Sequence, residues 1–169
     1  MNLDDILNGS RVFVDANVIL YALDHKSPSC RHFLSRCDGK AVDGTISTVT
    51  LAEVAHRRMV EEARTQGLTG SNPARALARR PELVRQLRVY AEDVRDLLAG
   101  ELNVEPIRQE DFFVALELQN QHGLLTNDSL NLAVAKRLGI HEIATADANF
   151  DKVQGVIAYK PADINPPIQ

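Results

Sequence analysis

Four acidic residues stand in otherwise apolar segments of this 169-residue chain, where an uncompensated charge is unfavourable. They are Asp15, Glu53, Asp128 and Asp147. If the four side chains converge, their mutual repulsion favours a bound divalent cation, and hard carboxylate oxygens suit Mg²⁺ or Mn²⁺. Such a metal activates water and stabilises the charge that builds on a phosphate. If they converge, we therefore predict that these acids support metal-dependent chemistry at a phosphate.

The pattern of apolar residues predicts a fold that brings such acids to one edge of a sheet. Short β-type runs alternate with helical patterns, which predicts an α/β sandwich around a mostly parallel sheet. The predicted strands cover residues 11–14, 42–46, 102–107, 142–145 and 156–159. Asp15 and Asp147 each follow a predicted strand, and open parallel sheets bind ligands beyond the carboxyl ends of their strands.

The predicted helices carry the other two acids. Helical spacing of apolar residues predicts helices at 18–23, 29–36, 48–66, 81–100, 111–121 and 127–138, with a further short helix from Pro73. Glu53 lies inside the helix 48–66, Asp128 opens the helix 127–138, and Gly123 suits a C-cap. Each of the four acids also has a purely structural alternative, as a turn former, a helix cap or a surface residue.

The four acids fall in segments that resemble, in their order along the chain, the motifs of PIN-domain nucleases. The segments are 12–23 (VFVDANVILYAL), 46–54 (ISTVTLAEV), 128–135 (DSLNLAVA) and 143–150 (IATADANF). The likeness extends over nearly the whole chain and is greatest to the VapC-like toxins of type II toxin–antitoxin pairs. It implies a three-layer α/β/α sandwich with a central sheet, and a single nuclease domain over residues 1–169.

The resemblance implies that Asp15, Glu53, Asp128 and Asp147 are the catalytic residues and metal ligands, and it also implies roles for residues around them. Asn17 would hydrogen-bond within the acidic cluster, with helix capping as its alternative, and Thr145 would support the fourth acid. The fourth motif offers Asp147, Asn149 and Asp151 in close succession. Asp147 is the predicted metal ligand among them, and Asp151 is a supporting residue.

The reaction that the resemblance implies is Mg²⁺- or Mn²⁺-dependent endonucleolytic hydrolysis of RNA, with an activated water as the nucleophile. The implied substrates are tRNA or rRNA. The implied protein partners are a second copy of the chain, in a homodimer, and a cognate antitoxin that docks near the active site. Two alternatives stay open: a catalytically inactive PIN-like module that binds RNA or protein, and an RNA-processing nuclease without an antitoxin.

Charge is unevenly distributed along the chain. The formal net charge is −4, yet residues 57–95 contain nine arginines against five acids, a local balance of +4. Arginine neutralises phosphates and binds them bidentately, so this region is predicted to contact RNA. The candidate RNA-binding residues are Arg57, Arg79, Arg80, Arg85 and Arg88. Most of them belong to a predicted helical extension at about residues 67–100, for which a plain helical hairpin packed on the core is the alternative.

Several other classes of protein are disfavoured by what the sequence lacks. No glycine-rich turn follows the first strand, as a Rossmann domain requires, and no GxSxG motif indicates a serine hydrolase. Haloacid-dehalogenase-like chemistry needs a second Asp where this chain has Asn17. Cys30 and Cys37 are seven residues apart, which fits neither a zinc site nor a redox pair. No secretion signal or membrane-spanning segment is predicted, so we expect a soluble cytoplasmic protein.

Overall fold

The computed structural model describes residues 1–70 and 72–164, and these residues form a five-stranded sheet. The strands are β1 (Arg11–Val14), β2 (Asp43–Ser47), β3 (Asn103–Glu105), β4 (Glu142–Ala144) and β5 (Ile157–Tyr159). Their order is β3-β2-β1-β4-β5, and each neighbouring pair is parallel. All five predicted strands are confirmed to within two residues at each end, and the sheet is wholly rather than mostly parallel.

Helices occupy the segments between the strands. They are α1 (Ala16–Leu23), α2 (Pro28–Asp38), α3 (Thr48–Thr65), α4 (Pro73–Arg79), α5 (Pro81–Val84), α6 (Val89–Ala99), α7 (Gln109–His122) and α8 (Thr126–Arg137), with 3₁₀ turns at Leu3–Asp5 and Ala148–Lys152. Gly123 ends α7 with φ at 69°, in the left-handed region that glycine adopts readily, which confirms the predicted C-cap. Within the described ranges, none of these helices has the length and apolarity needed to span a membrane.

The central strand explains why helices cover both faces of the sheet. Val12, Phe13 and Val14 are successive residues of β1, so their side chains point to alternate faces, and all three are buried. On α8, every residue from Ser129 to Ala135 is buried, and its apolar side chains share one core cluster with Phe13 and Ile143. The predicted α/β/α sandwich is confirmed.

The start of α1 differs from the prediction. The helix begins at Ala16, directly after β1, and Asp15 occupies the N-cap position with an extended backbone. Asn17 therefore lies inside the first turn, and its alternative role as the helix cap is wrong. Because the strand passes into the helix without a loop, buried residues of both elements flank Asp15.

The chain divides into two compact units. Of the described residues, the first contains 1–51 and 101–164, and therefore the whole sheet. The second, which we call the helical arm, contains residues 52–100, with most of α3 and all of α4, α5 and α6. The arm has a small core of its own, formed by Ala63, Leu77, Leu83 and Leu87.

The helix predicted at residues 81–100 is wrong as a single element, because the structure divides it into α5 and α6. The carboxylate of Glu62, on α3, accepts hydrogen bonds from the backbone N–H groups of Arg88 (2.8 Å) and Tyr90 (2.9 Å). These groups lie at the N-terminus of α6, where backbone donors lack intrahelical partners. A carboxylate distant in sequence thus caps α6 and stabilises the break before it.

Candidate active site

Asp15 and Thr145 lie side by side at the carboxyl edge of the sheet. Val14 pairs with Ala144 in the parallel register of β1 and β4, so the next residues leave their strands at the same level. The hydroxyl of Thr145 donates a hydrogen bond to Oδ2 of Asp15 over 2.7 Å, and both residues are buried. The strand order reverses between β1 and β4, which is where open parallel sheets form their ligand-binding crevice.

Asp147 is connected to the same hydroxyl. Its backbone N–H donates to Oγ1 of Thr145 over 3.0 Å. Its carboxylate accepts from the backbone N–H of Asn149 (2.8 Å) and from the Asn149 side chain (3.2 Å), so it also caps the 3₁₀ turn, as its structural alternative describes. Asp151 is exposed and forms an ion pair with Lys160. Of the two acids in the fourth motif, Asp147 is the one joined to the strand-end hydroxyl.

Asn17 contacts the acid that it was predicted to support. Its side-chain amide donates to Oδ2 of Asp15 over 3.3 Å, from the first turn of α1. The same carboxylate oxygen therefore accepts hydrogen bonds from Asn17 and Thr145. The contact of Asn17 is the one that the resemblance implies. Thr145, expected to support the fourth acid, accepts from the backbone of Asp147 but donates its hydroxyl to the first acid, Asp15, and the catalytic roles of these residues stay predictions.

Asp128 lies in the first turn of α8 and is half-buried. The N-cap position belongs to Leu125, so Asp128 is a helical residue and its alternative role as the cap is wrong. A negative charge in the first helical turn is favoured by the partial positive charge of the helix N-terminus. The fold thus supplies a position in which an ionised Asp128 is stable.

Glu53 lies on α3 and belongs to the helical arm. It is half-buried, and its Oε1 atom is 3.6 Å from a guanidinium nitrogen of Arg57, one turn further along the helix. His56, on the same helix, is exposed. Arg57 therefore contacts one of the predicted acids, in addition to being a candidate for RNA contact.

The donor chemistry of the four predicted ligands fits a divalent cation, because all four side chains are carboxylates, which are hard oxygen ligands. Among the residues that the structure describes, no group of three or more His, Cys, Asp or Glu side chains is gathered to hold a metal ion. The four-acid ligand set therefore stays a prediction.

A model of the PIN domain family matches residues 12–156, which is most of the chain. The chain belongs to the PIN domain family. The resemblance of its four motifs to PIN domains is thereby confirmed, and the family fold agrees with the parallel sheet and its helices. The chain matches none of the curated proteins compared with it.

Solved structures of similar fold include toxin–antitoxin proteins. VapBC2 from Rickettsia felis, bound to a DNA fragment from its promoter, has 17% identity and a TM-score of 0.57, covering 89% of this chain and 98% of that one. A toxin–antitoxin complex from Klebsiella pneumoniae has 19% identity and a TM-score of 0.55, covering 86% and 95%. VapC20 from Mycobacterium tuberculosis, described as a sarcin–ricin loop cleaving toxin, has 15% identity and a TM-score of 0.50, covering 78% and 86%. At these identities the likeness concerns the PIN fold.

This PIN domain also contains a buried polar cluster that the sequence analysis missed, formed by Ser47, Thr50 and Asn131. Oδ1 of Asn131 accepts hydrogen bonds from the hydroxyls of Ser47 (2.5 Å) and Thr50 (3.1 Å). The three residues are between 0% and 4% exposed. The available signal was Asn131 itself, a polar residue in the apolar run from Leu130 to Ala135.

The arginines of the helical arm fall into two groups. Those in the first group are ion-paired: Arg57 with Glu53, Arg58 with Asp93 (2.7 Å) and Arg64 with Glu61 (2.6 Å). Those in the second group have no carboxylate of the described chain within ion-pair distance, and they are Arg75, Arg79, Arg80, Arg85, Arg88 and Arg95. All six are exposed. The second group contains four of the five arginines predicted to bind RNA.

The cysteines of the PIN domain take no part in this chemistry. Cys30 and Cys37 both lie on α2, buried and without a disulfide. Burial raises the pKa of the Cys30 thiol to about 11 and that of Cys37 to about 12. Both side chains are therefore unreactive thiols at neutral pH.

Proposed function

We propose that this PIN domain is a metal-dependent endoribonuclease that acts as the toxin of a toxin–antitoxin pair. The observation that carries the proposal is the hydrogen-bonded arrangement of Asp15, Thr145 and Asp147 at the reversal of strand order. A buried carboxylate fixed by neutral donors is a suitable ligand for a cation that meets an anionic substrate. The similar folds of VapBC2 and VapC20 support the toxin role.

In this proposal Asp15, Glu53, Asp128 and Asp147 hold Mg²⁺ or Mn²⁺. When bound, the metal supplies positive charge that lowers the pKa of water and stabilises the phosphate. The hydroxyl of Thr145 and the amide of Asn17 hold the Asp15 carboxylate in one orientation. Orienting contacts of this kind are costly to lose, because they fix the geometry of the ligand.

The proposal is tested by incubating total bacterial RNA with purified protein in Mg²⁺, in Mn²⁺ and in EDTA. We expect discrete cleavage that requires metal and that falls at least about a thousandfold in Asp15→Asn, since a ligand and its charge are removed together. Asp4→Asn is the matched control, because Asp4 is an exposed acid paired with His32. Mapping of the cut ends identifies the substrate, which we propose to be tRNA or rRNA. Metal-independent cleavage, or full activity of Asp15→Asn, would contradict the proposal.

Expression in cells separates a toxin from a processing nuclease. A toxin arrests growth when expressed alone and is silenced by a cognate antitoxin, which we propose as its protein partner. The Asp15→Asn variant should express without growth arrest. If the active protein cleaves RNA in vitro and yet leaves growth unaffected, the processing role is correct. If neither cleavage nor arrest occurs, an inactive binding module is correct.

We also propose that the second group of arm arginines contacts the RNA backbone. Arg79, Arg80, Arg85 and Arg88 lie within ten residues, with Glu82 as the acid among them. An exposed arginine that is not already neutralised can bind phosphate without first losing an intramolecular ion pair. Arg57, which is paired with Glu53, is the exception among the five predicted contacts.

A homodimer through α7 is the last element of the proposal. Phe112, Phe113 and Leu116 of this helix are 50%, 63% and 58% exposed. They offer roughly 300 Å² of apolar surface, enough for the centre of an interface that buries roughly 800 Å² per partner. A two-fold axis places the same patch on both copies, so apolar surface meets apolar surface. Sedimentation velocity should show a dimer that Phe113→Glu converts to a monomer, and a monomeric wild-type protein would contradict this element.

A further inference from the structure

The polar cluster of Ser47, Thr50 and Asn131 lies in the first unit and joins residues of three elements. Ser47 is the last residue of β2, Thr50 lies in the first turn of α3, and Asn131 lies on α8. The Ser47 hydroxyl also accepts from the backbone N–H of Thr50 over 3.0 Å. Through Asn131, α8 is therefore hydrogen-bonded to the carboxyl end of β2 and to α3, the helix that follows β2.

Buried polar groups of this kind define one arrangement of the elements that carry them. Burial of the apolar neighbours of Asn131 on α8 is non-directional and defines their position less sharply than hydrogen bonds do. A displaced Asn131 leaves two buried hydroxyls without an acceptor, which is costly. The cluster therefore selects one axial position and one rotation of α8.

Asp128 lies three residues before Asn131 on the same helix. Side chains three residues apart are neighbours on one face of a helix. Fixing Asn131 therefore also fixes the backbone position from which the Asp128 side chain extends. We propose that Asn131 is a positioning residue for Asp128, which acts by anchoring the first turns of α8 to Ser47 and Thr50. This inference rests on the proposed function only in assigning Asp128 to the metal site.

Two variants of Asn131 separate the effect of its hydrogen-bond acceptor from the effect of its side-chain volume. Asn131→Leu keeps the volume and removes the acceptor, whereas Asn131→Asp keeps an oxygen in the place of Oδ1. Ser27→Ala is the matched control, because Ser27 is also fully buried and donates a hydrogen bond to Asp163 over 2.6 Å outside the polar cluster. If Asn131→Leu does not fold, Thr50→Val removes one donor from the cluster with little change in shape.

The first measurement is amide hydrogen exchange of the metal-free protein. We expect the amides of residues 129–132 to exchange faster in Asn131→Leu, by about tenfold relative to the rest of α8, and to recover in Asn131→Asp. The second is calorimetric titration with Mn²⁺ in the absence of RNA. Affinity should fall about tenfold or more in Asn131→Leu and recover in Asn131→Asp, as for other residues that orient a metal ligand. Ser27→Ala should lower the unfolding temperature and change neither measurement.

The outcomes distinguish the inference from the proposed function. If wild-type protein binds Mn²⁺ and Asn131→Leu binds it equally well, Asn131 is a core residue only and the inference is wrong. If wild-type protein does not bind Mn²⁺, the proposed function is wrong, and hydrogen exchange alone then decides whether Asn131 anchors the start of α8. Equal effects of Asn131→Leu and Ser27→Ala on both measurements would show that general destabilisation is responsible.

Discussion

The two compact units of this PIN domain differ in the exposure of the charged groups to which we assign function. In the unit that contains the sheet, Asp15 is 7% exposed and accepts hydrogen bonds from Thr145 and Asn17. In the helical arm, α6 has no buried residue, and most arginines of the arm are exposed. Hydrolysis of a phosphodiester requires metal ligands held in one geometry, whereas contact with a nucleic-acid backbone requires charged side chains that can change conformation. In the proposed function, the first unit therefore supplies Asp15, Asp128 and Asp147, and the arm supplies Glu53 and the arginines for RNA contact.

After that of Asp15→Asn, the largest effect is expected from a comparison of the two acids that follow β4, Asp147 and Asp151. Asp147→Asn should lower RNA cleavage by about a hundredfold or more, because it removes a charge joined to the Thr145 hydroxyl through its backbone. Asp151→Asn breaks only the exposed ion pair with Lys160 and should change the rate by less than about threefold. Steady-state rates on one defined RNA measure both. The reverse ranking would move the fourth ligand to Asp151.

In the first unit, breaking a buried ion pair should lower the free energy of unfolding more than breaking an exposed ion pair does. Asp111 is 2% exposed and accepts from the guanidinium of Arg137 at 2.9 and 3.2 Å. Asp111→Asn should lower the free energy of unfolding by about 3 kcal/mol at pH 7, since Arg137 loses its buried partner. Glu101→Gln, which breaks an exposed pair with Lys40, should cost less than about 1 kcal/mol. Urea denaturation of the two variants compares them, and equal losses would mean that burial is irrelevant here.

The same ion pair predicts a pH dependence. Burial alone would raise the pKa of Asp111, but hydrogen bonds from the Arg137 side chain and the Arg108 backbone lower the pKa below its ordinary value. A lowered folded pKa stabilises the protein above the unfolded pKa of about 3.9, and this contribution disappears as pH falls through the folded pKa. The gap in unfolding free energy between wild type and Asp111→Asn should be constant above about pH 5 and narrow below about pH 4. A gap that does not narrow would contradict this assignment.

A smaller loss is expected from the carboxylate that organises the arm. Glu62→Gln leaves one carbonyl oxygen for the backbone N–H groups of Arg88 and Tyr90, so one donor of α6 loses its partner. The cost should be about 1–2 kcal/mol, as for other helix caps, and hydrogen exchange should rise in α6. Glu61→Gln is the matched control, because Glu61 pairs with exposed Arg64 and should cost less than about 0.5 kcal/mol. Unchanged protection of α6 in Glu62→Gln would show that the helix needs no cap from α3.

The arm also shows where sequence reasoning reaches its limit. The strands could be predicted because short apolar runs such as Val12–Val14 report burial directly. The break between α5 and α6 could not, since it depends on Glu62, which is more than twenty residues away in sequence. Likewise, Asn131 is visible in the sequence, but its hydroxyl partners are known only once α8 packs beside β2. Local pattern predicts elements, and contacts between distant residues decide how they end.

The smallest effect is expected from substitution of the exposed arginines of the arm, because each of them would contribute a single flexible contact with a phosphate. Arg79→Gln combined with Arg85→Gln should weaken RNA binding several-fold and reduce the dependence of log affinity on log salt by about 1.4, or 0.7 for each phosphate that is no longer neutralised. The control pair is Arg31→Gln with Arg64→Gln, which removes the same charge from exposed positions, of which Arg64 is already ion-paired. Titrations are made in the Asp15→Asn background, so that the RNA stays intact. If both pairs reduce the salt dependence equally, net charge alone is responsible and Arg79 and Arg85 make no specific contact with RNA. If only the first pair does so, the proposed contact of Arg79 and Arg85 with the RNA backbone is supported.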